Sequence, residues 1–310
     1  MPTPTERRII GKRRTSSSGA ILIPILEKLL ELPIEVETEE DFRFMEMLIR
    51  ARAVPRAGGV FSPSMLGACV RQAFFSKKGV EKLAARSPQT NGYFLHGNFI
   101  HLKWQFALWK AQVSKMIAIS PVPATRELDF YGDGTRPGVE VRVIRDDFGG
   151  TIDAIVTLER RNYIVDFKGI NLIDFQRTVK NGAPLAYRRQ IVGYGMIARE
   201  ALSLKLDGCL LISECKAGPT GGRGNPIALH ETFVPIDEYS GDVERRLRTL
   251  RWFDAKDERP PPECVSTIHM GFQECPYNRF CREEVREIQR ERERRQAKSP
   301  RDWKPARPGR

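Results

Sequence analysis

Two apolar runs with charges set inside them constrain this chain more than any other stretch. Gly150-Thr151-Ile152-Asp153 leads through Glu159-Arg160-Arg161-Asn162 to Ile164-Val165-Asp166-Phe167-Lys168-Gly169. Alternating side chains along a strand put Asp166 and Lys168 on one face and Val165 and Phe167 on the other. The apolar neighbours of each acid (Ile152, Ala154, Ile155; Ile164, Val165, Phe167) mark both strands as central. The turn decides where Asp153 goes. An even loop of Glu159-Arg160 sets it opposite Asp166, an even loop of Glu159 to Asn162 sets it opposite Lys168, and an odd loop sends it to the other face. Two carboxylates and a lysine on one half-buried face are costly unless they pair or bind a divalent ion. With the acids on a metal, a neighbouring lysine can hold a water for attack on a phosphodiester. The competing reading is a solvated hairpin face with an incidental ion pair.

Around this hairpin the sequence predicts helices over Ile21–Leu32 and Glu39–Ala53, parted by Pro33, and a helix capped by Ser62-Pro63-Ser64 that runs through Phe75. A longer helix follows from about Gly92 to Met116. Strands are expected at Val139–Arg145, Gly150–Leu158 and Tyr163–Lys168, then a helix over roughly Pro184–Leu202. A strand at Gly208–Glu214, a Gly/Pro loop at Ala217–Pro226, a strand at Ile227–Val234 and a helix at Asp237–Lys256 come next. Arg259-Pro260-Pro261-Pro262 breaks the chain before a Cys-containing loop and a charged terminal helix. This order makes an α/β or α+β core with flanking helices.

The 310 residues, 41% hydrophobic and 29% charged, can bury a core. The charge and a mean hydropathy of −0.40 exclude a membrane protein and a wholly disordered chain. The longest apolar stretches, such as Ala20–Leu26, fall far short of the ~20 residues that a membrane span needs. Residues 1–14 have no apolar core behind their basic residues, so the expected location is the cytoplasm, of a bacterium or a phage-infected host. The net charge of +12 is uneven: five basic residues and one acid lie in 1–14, and eleven basic against six acidic in 282–310. Residues 1–19 and 283–310 read as basic tails, the first disordered, the second helical or disordered, on one domain spanning 20–282. Such tails either hold nucleic acid or are merely solvated.

Two helical pairs flank the hairpin in sequence. Gly97-Asn98-Phe99-Ile100-His101 puts Gly97 and His101 on one helix face, where the missing side chain would let another backbone come close. His96 competes with His101 but lies on a different face, so only one of them can ligate a metal. Gln190-Ile191-Val192-Gly193-Tyr194 presents an amide and a phenol to one partner, and Arg188 and Arg189 beside them are placed to meet phosphates. The order His101, Asp153, Asp166, Lys168, Gln190, Tyr194 resembles the PD-(D/E)XK nuclease superfamily, and within it the RecB-like exonucleases. The resemblance implies a restriction-endonuclease-like core, a mixed central sheet flanked by helices. It also implies that His101, Asp153, Asp166 and the backbone carbonyl of Phe167 hold Mg²⁺ or Mn²⁺, that Lys168 orients the attacking water, and that Gln190 and Tyr194 position the strand.

Cys275-Pro276-Tyr277-Asn278-Arg279-Phe280-Cys281 follows the proline break, with Cys264 before it and Cys69 far upstream. This layout is similar to the iron–sulfur subgroup of RecB-like nucleases, that of the CRISPR-associated exonuclease and AddB. It implies a 4Fe–4S cluster on Cys69, Cys264, Cys275 and Cys281, closing a loop of 212 positions as a C-terminal clasp. Ten residues separate Cys264 from Cys275 where the family usually has two, so His269 competes for that place, or the group binds zinc. Cys209 and Cys215 flank an apolar strand and read as core. The expected function is a metal-dependent DNA exonuclease acting on single-stranded or frayed ends, in recombination, repair or CRISPR adaptation, without a membrane. The alternatives are a non-catalytic iron–sulfur or zinc DNA-binding protein, or an endonuclease on the same fold.

Overall fold

The computed structural model describes residues 19–30, 35–53, 59–81, 88–124, 128–216, 228–264 and 275–298. The chain divides into two compact units, one of Met1–Gly67 with Arg86–Leu247, the other of Ala68–Ala85 with Arg248–Arg310.

In the first unit, α1 (Ile23–Leu30), α2 (Glu39–Ala53) and a 3₁₀ turn (Pro63–Gly67) precede the long α4 (Pro88–Val113). Then come β1 (Ala118–Ile119), β2 (Pro121–Pro123), β3 (Thr135–Pro137), β4 (Val139–Arg145), β5 (Phe148–Leu158) and β6 (Arg161–Ile170). Two helices, α5 (Leu172–Asn181) and α6 (Leu185–Ala201), carry the chain to β7 (Gly208–Cys215), which is followed by β8 (Leu229–Val234) and α7 (Ile236–Lys256), whose residues from Arg248 on belong to the second unit. The main sheet runs β1-β5-β6-β7-β8, with β4 also on β5; β6 and β7 are parallel and every other pair is antiparallel. This is the expected α/β architecture, a mixed central sheet flanked by helices.

Alternation explains the two-sided burial. Ala154, Val156, Val165, Phe167, Leu210 and Ile212 pack in one core with Trp104, Leu108 and Trp109 of α4, Phe44 and Leu48 of α2, and Leu26 of α1. On the other face, Ile191, Val192, Tyr194 and Ile197 of α6 are buried, and Cys209 on β7 donates its thiol to the Ile191 carbonyl at 3.6 Å, in keeping with its reading as a core residue. Glycines let α6 lie close: a Cβ on Gly193 would come within 2.9 Å of Leu66 and one on Gly195 within 2.8 Å of Ile236.

Three expectations needed revision. The helix expected from Ser62 through Phe75 is a 3₁₀ turn and a separate helix, α3 (Val70–Lys77), broken at Ala68-Cys69. Helix α5 was not anticipated, although Leu172, Phe175 and Val179 recur at i, i+3 and i+7 and Asn171 caps its start by accepting from the Asp174 N–H. The third is the boundary at 282/283, which falls inside α8 (Asn278–Lys298). Residues 1–18 and the Gly/Pro loop from 217 lie outside the described residues. Among the described residues, no helix is long and apolar enough to cross a membrane.

The second unit holds α3 and α8 around a small core of Phe74, Phe75, Tyr277, Cys281 and Val285. Arg71, 2% exposed, donates to both Glu284 carboxylate oxygens at 2.7 and 2.8 Å and to the Pro260 carbonyl. Burying a guanidinium is tolerable here because its fork is matched by a carboxylate and a carbonyl.

Candidate active site

The ladder between β5 and β6 closes on a two-residue turn, Leu158 opposite Arg161, so the Glu159-Arg160 alternative is the one realised. Both turn residues have positive φ, 49° and 65°, the geometry of a type I′ turn. The pairing runs only to Ala154 opposite Val165; beyond it β5 stays with β4 and β6 with β7, and the two central strands part. Continuing the register puts Asp153 opposite Asp166 at this fork. Two backbone groups there find side-chain partners in place of a strand: the Phe167 N–H donates to Asp153 Oδ2 at 2.8 Å, and Gln105 Nε2 donates to the Asp153 carbonyl at 2.9 Å.

Helix α4 delivers His101, whose Nδ1 lies 2.9 Å from Asp153 Oδ2. Lys168 Nζ lies 2.7 Å from Asp166 Oδ2. Both acids are buried, at 9% and 3% exposure, which makes their pairing obligatory. Burial opposes a charge on His101, but the Asp153 carboxylate outweighs it and holds the imidazole above its usual range. Burial likewise works against ionised Asp153, and the charge of His101 with its hydrogen bond pulls that carboxyl below the usual range. Asp166 moves the other way: burial, with the Asp153 charge opposite, raises it despite Lys168. Two carboxylates of one site driven apart in this manner suit different roles.

A third acid at the site was not foreseen. Glu140 of β4 sits at φ 48° where the ladder skips from Val139 opposite Ala154 to Val141 opposite Ile152. Its carboxylate accepts from Gln105 Nε2 at 2.8 Å and pairs with Arg52 Nε at 3.1 Å. Arg136 donates to the carbonyls of Val139 and Glu140. Burial and the Asp153 charge push its carboxyl above the usual range. An acid between two valines of an apolar strand was the available signal.

The remaining expected residues are placed as follows. Tyr194 is buried against β5, since a Cβ on Gly150 would come within 2.8 Å of its ring, and Gln190 is half-buried one turn before it on α6. The phosphate-facing placement expected for Arg188 and Arg189 is not what the structure has: both are turned to α7. Arg188 donates to the Ala183 carbonyl and to Tyr239 Oη, and Arg189 to Asp242 Oδ2 at 2.6 Å. A nearby carboxylate and phenol outcompete water for these forks. Among the described residues, no backbone approaches Gly97; the neighbour of a Cβ there would be Lys216 Nζ at 3.9 Å. His96 is exposed. Tyr187, one turn before Gln190, lies beneath Lys168, whose Nζ is 5.5 Å from the ring centroid.

In the second unit Cys69 caps the start of α3, Cys264 and Cys275 pack on the small core, and Cys281 belongs to it. Burial first, then the charges of Cys69, Cys275 and Cys281, push the Cys264 thiol up to about 11. All four cysteines lie in the second unit. His269 lies outside the described residues.

The donor sets suit the expected groups. Two carboxylates are hard oxygen ligands for Mg²⁺ or Mn²⁺ and an imidazole is a borderline nitrogen ligand that suits Mn²⁺, and the buried Asp166 Oδ2 and His101 Nδ1 face only their ion-pair partners. Among the described residues, no three His, Cys, Asp or Glu side chains are drawn together closely enough to hold an ion as they stand. At the fork, the ion pairs to His101 and Lys168 engage the carboxylates instead.

No known protein family matches the sequence, and no curated protein matches it. Among solved structures, the chain is similar to SSO0001 (14% identity, TM-score 0.44, covering 79% of this chain and 96% of that one). It is also similar to the alkaline exonuclease LHK-Exo from Laribacter hongkongensis (12% identity, TM-score 0.37, 68% and 97% covered) and to LHK-Exo in complex with dAMP (13%, 0.37, 68% and 93%).

Proposed function

We propose that this chain is a divalent-metal-dependent deoxyribonuclease of the RecB-like, PD-(D/E)XK kind, removing nucleotides from single strands or frayed ends. One observation carries the reading: a fork in the central hairpin sets Asp153 and Asp166 side by side in a buried setting, with His101 against the first and Lys168 against the second. In this reading His101, Asp153, Asp166 and the Phe167 carbonyl hold Mg²⁺ or Mn²⁺. A divalent ion bound there supplies Lewis-acid polarisation of a phosphate and a water of lowered pKa. Lys168, once released from Asp166, orients that water or meets the developing charge. Gln190 steadies the strand, and Tyr194 fixes α6 against β5.

The four cysteines of the second unit hold a 4Fe–4S cluster in the same proposal, with zinc as the other occupant that thiolates accept. Their gathering in one compact unit supports this. Protein purified without oxygen should be brown, with iron and sulfide near four per chain; zinc without iron would exclude the cluster. The partner is DNA, with recombination, repair or CRISPR-type processing as the setting.

The testing experiment uses 5′- and 3′-labelled single and double strands with Mg²⁺ or Mn²⁺. Short products released from ends, and none in EDTA, are expected. Uniform internal cuts in a closed circle would instead assign an endonuclease.

A further inference from the structure

A cleft of about 550 Å³ opens beyond Lys168, lined by Gly169, Ile170, Asn171, Leu172, Asp174, Tyr187 and Lys216. Nothing in the proposed chemistry uses it, yet its volume falls in the range of small-molecule sites. Its chemistry is mixed. Tyr187 offers a half-buried aromatic ring and Leu172, 39% exposed, an apolar side chain at the start of α5. Lys216, at the end of β7, brings a cation.

The route of Lys216 is specific to this backbone. A Cβ on Gly169 would fall 2.6 Å from Lys216 Cε and 2.4 Å from Ile100 Cδ1, so the lysine crosses the end of β6 only because position 169 has no side chain. Its Nζ then lies beside Gly97, one helical turn from His101. Burial pulls its ammonium below the ordinary lysine range, which fits a cation held in a recess. Asp174, the one acid among the described residues of the lining, accepts from Asn171 Nδ2 and from Arg177.

We infer that this cleft is a nucleotide subsite: the base next to the scissile phosphate stacks on Tyr187 while Lys216 meets a backbone phosphate of the same single strand. The inference rests on the nuclease reading and deepens it. An aromatic face beside a cation is what an unpaired nucleotide requires, whereas a paired base has its faces covered by its neighbours. The subsite therefore selects single strands, and it selects them without regard to sequence, because every base has a π face.

The test is binding of a fluorescein-labelled oligothymidine, and of the same sugar–phosphate chain without bases, in Ca²⁺ by fluorescence anisotropy. Tyr187→Leu should weaken oligothymidine about tenfold or more and leave the abasic chain unchanged, and Tyr187→Phe should retain wild-type affinity for both. Lys216→Gln should weaken both chains alike and flatten the log–log salt dependence by roughly 0.7. Equal effects of Tyr187→Leu on the two chains, or none, would overturn the subsite, and a wild type that still cleaves DNA with Mg²⁺ or Mn²⁺ would leave the nuclease reading standing. A wild type that neither binds oligothymidine nor cleaves with any divalent ion overturns both. Melting curves of the variants, with Tyr187→Phe and Lys216→Gln as the mild substitutions, separate loss of binding from loss of fold.

Discussion

Asp41 shows how a single buried carboxylate is made tolerable in this fold. At 1% exposure it accepts from Trp109 Nε1 at 2.9 Å, from Lys110 Nζ at 3.0 Å and from the N–H groups of Glu37 and Thr38. Burial alone would raise its pKa, but these donors, Lys110 foremost, lower it from 3.8 to about 2. A depressed pKa stabilises the folded chain above the unfolded value and loses that contribution as pH falls through the folded one. A shift of this size is worth about 2 kcal/mol. The wild type should lose roughly this much of its advantage over Asp41→Asn between pH 4 and pH 2, read as the difference in urea midpoints; parallel pH curves would contradict it. Residues of this kind are only partly legible in sequence. Asp153, Asp166 and Lys168 stand out because each interrupts an apolar strand. Gln105, Arg52 and Lys216 do not, because one polar residue on a helix or at a strand end looks the same whether it meets solvent or a buried carbonyl far along the chain.

The β5–β6 hairpin carries the site, and its turn is built from unsuited residues. Glu159 and Arg160 both sit at positive φ, where side chains cost energy and Asn-Gly does not. Glu159→Asn with Arg160→Gly should raise stability by about 1 kcal/mol without changing the register, checked by thermal melting; a loss would show that these side chains make contacts worth more than the strain. The same mismatch is why the sequence left three registers open, since an Asn-Gly pair would have named the two-residue loop at once. The fork beyond Ala154 was illegible for a different reason: it arises from competition between β4, β6 and β7 for edges, which no single strand records. At the fork, Gln105→Leu removes the donor to both Glu140 and the Asp153 carbonyl. It should cost about 2 kcal/mol by urea unfolding, mostly as unsatisfied buried acceptors. A neutral result would mean that water replaces the amide.

Across the whole chain the charge of +12 has little to do with the candidate chemistry, which sits in the first unit among nearly balanced residues. The terminal helix is more than a basic tail. Val285 is fully buried and Glu284 holds Arg71, so removal of 283–310 should unfold the second unit, whereas removal of 299–310 should spare it. Glu284→Ala, which strands the buried guanidinium, should cost about 1 to 3 kcal/mol, discounted because the glutamate is 36% exposed; an unchanged melting curve would contradict the pairing. Fold class was legible from the alternation of apolar runs; the expected clasp joined Cys69 to residues 258–282, but the bounds of the two units were not legible, because their pieces are far apart in sequence. The nuclease reading stands or falls on Asp166 and Lys168. The most direct measurement is degradation of end-labelled single-stranded DNA with Mg²⁺ or Mn²⁺ by the wild type, Asp166→Ala and Lys168→Ala, each shown by melting to be folded. The account predicts metal-dependent release of short products by the wild type and loss of at least a hundredfold in rate in both variants. A folded variant that retains wild-type activity, or a wild type inert with every divalent ion, would contradict it.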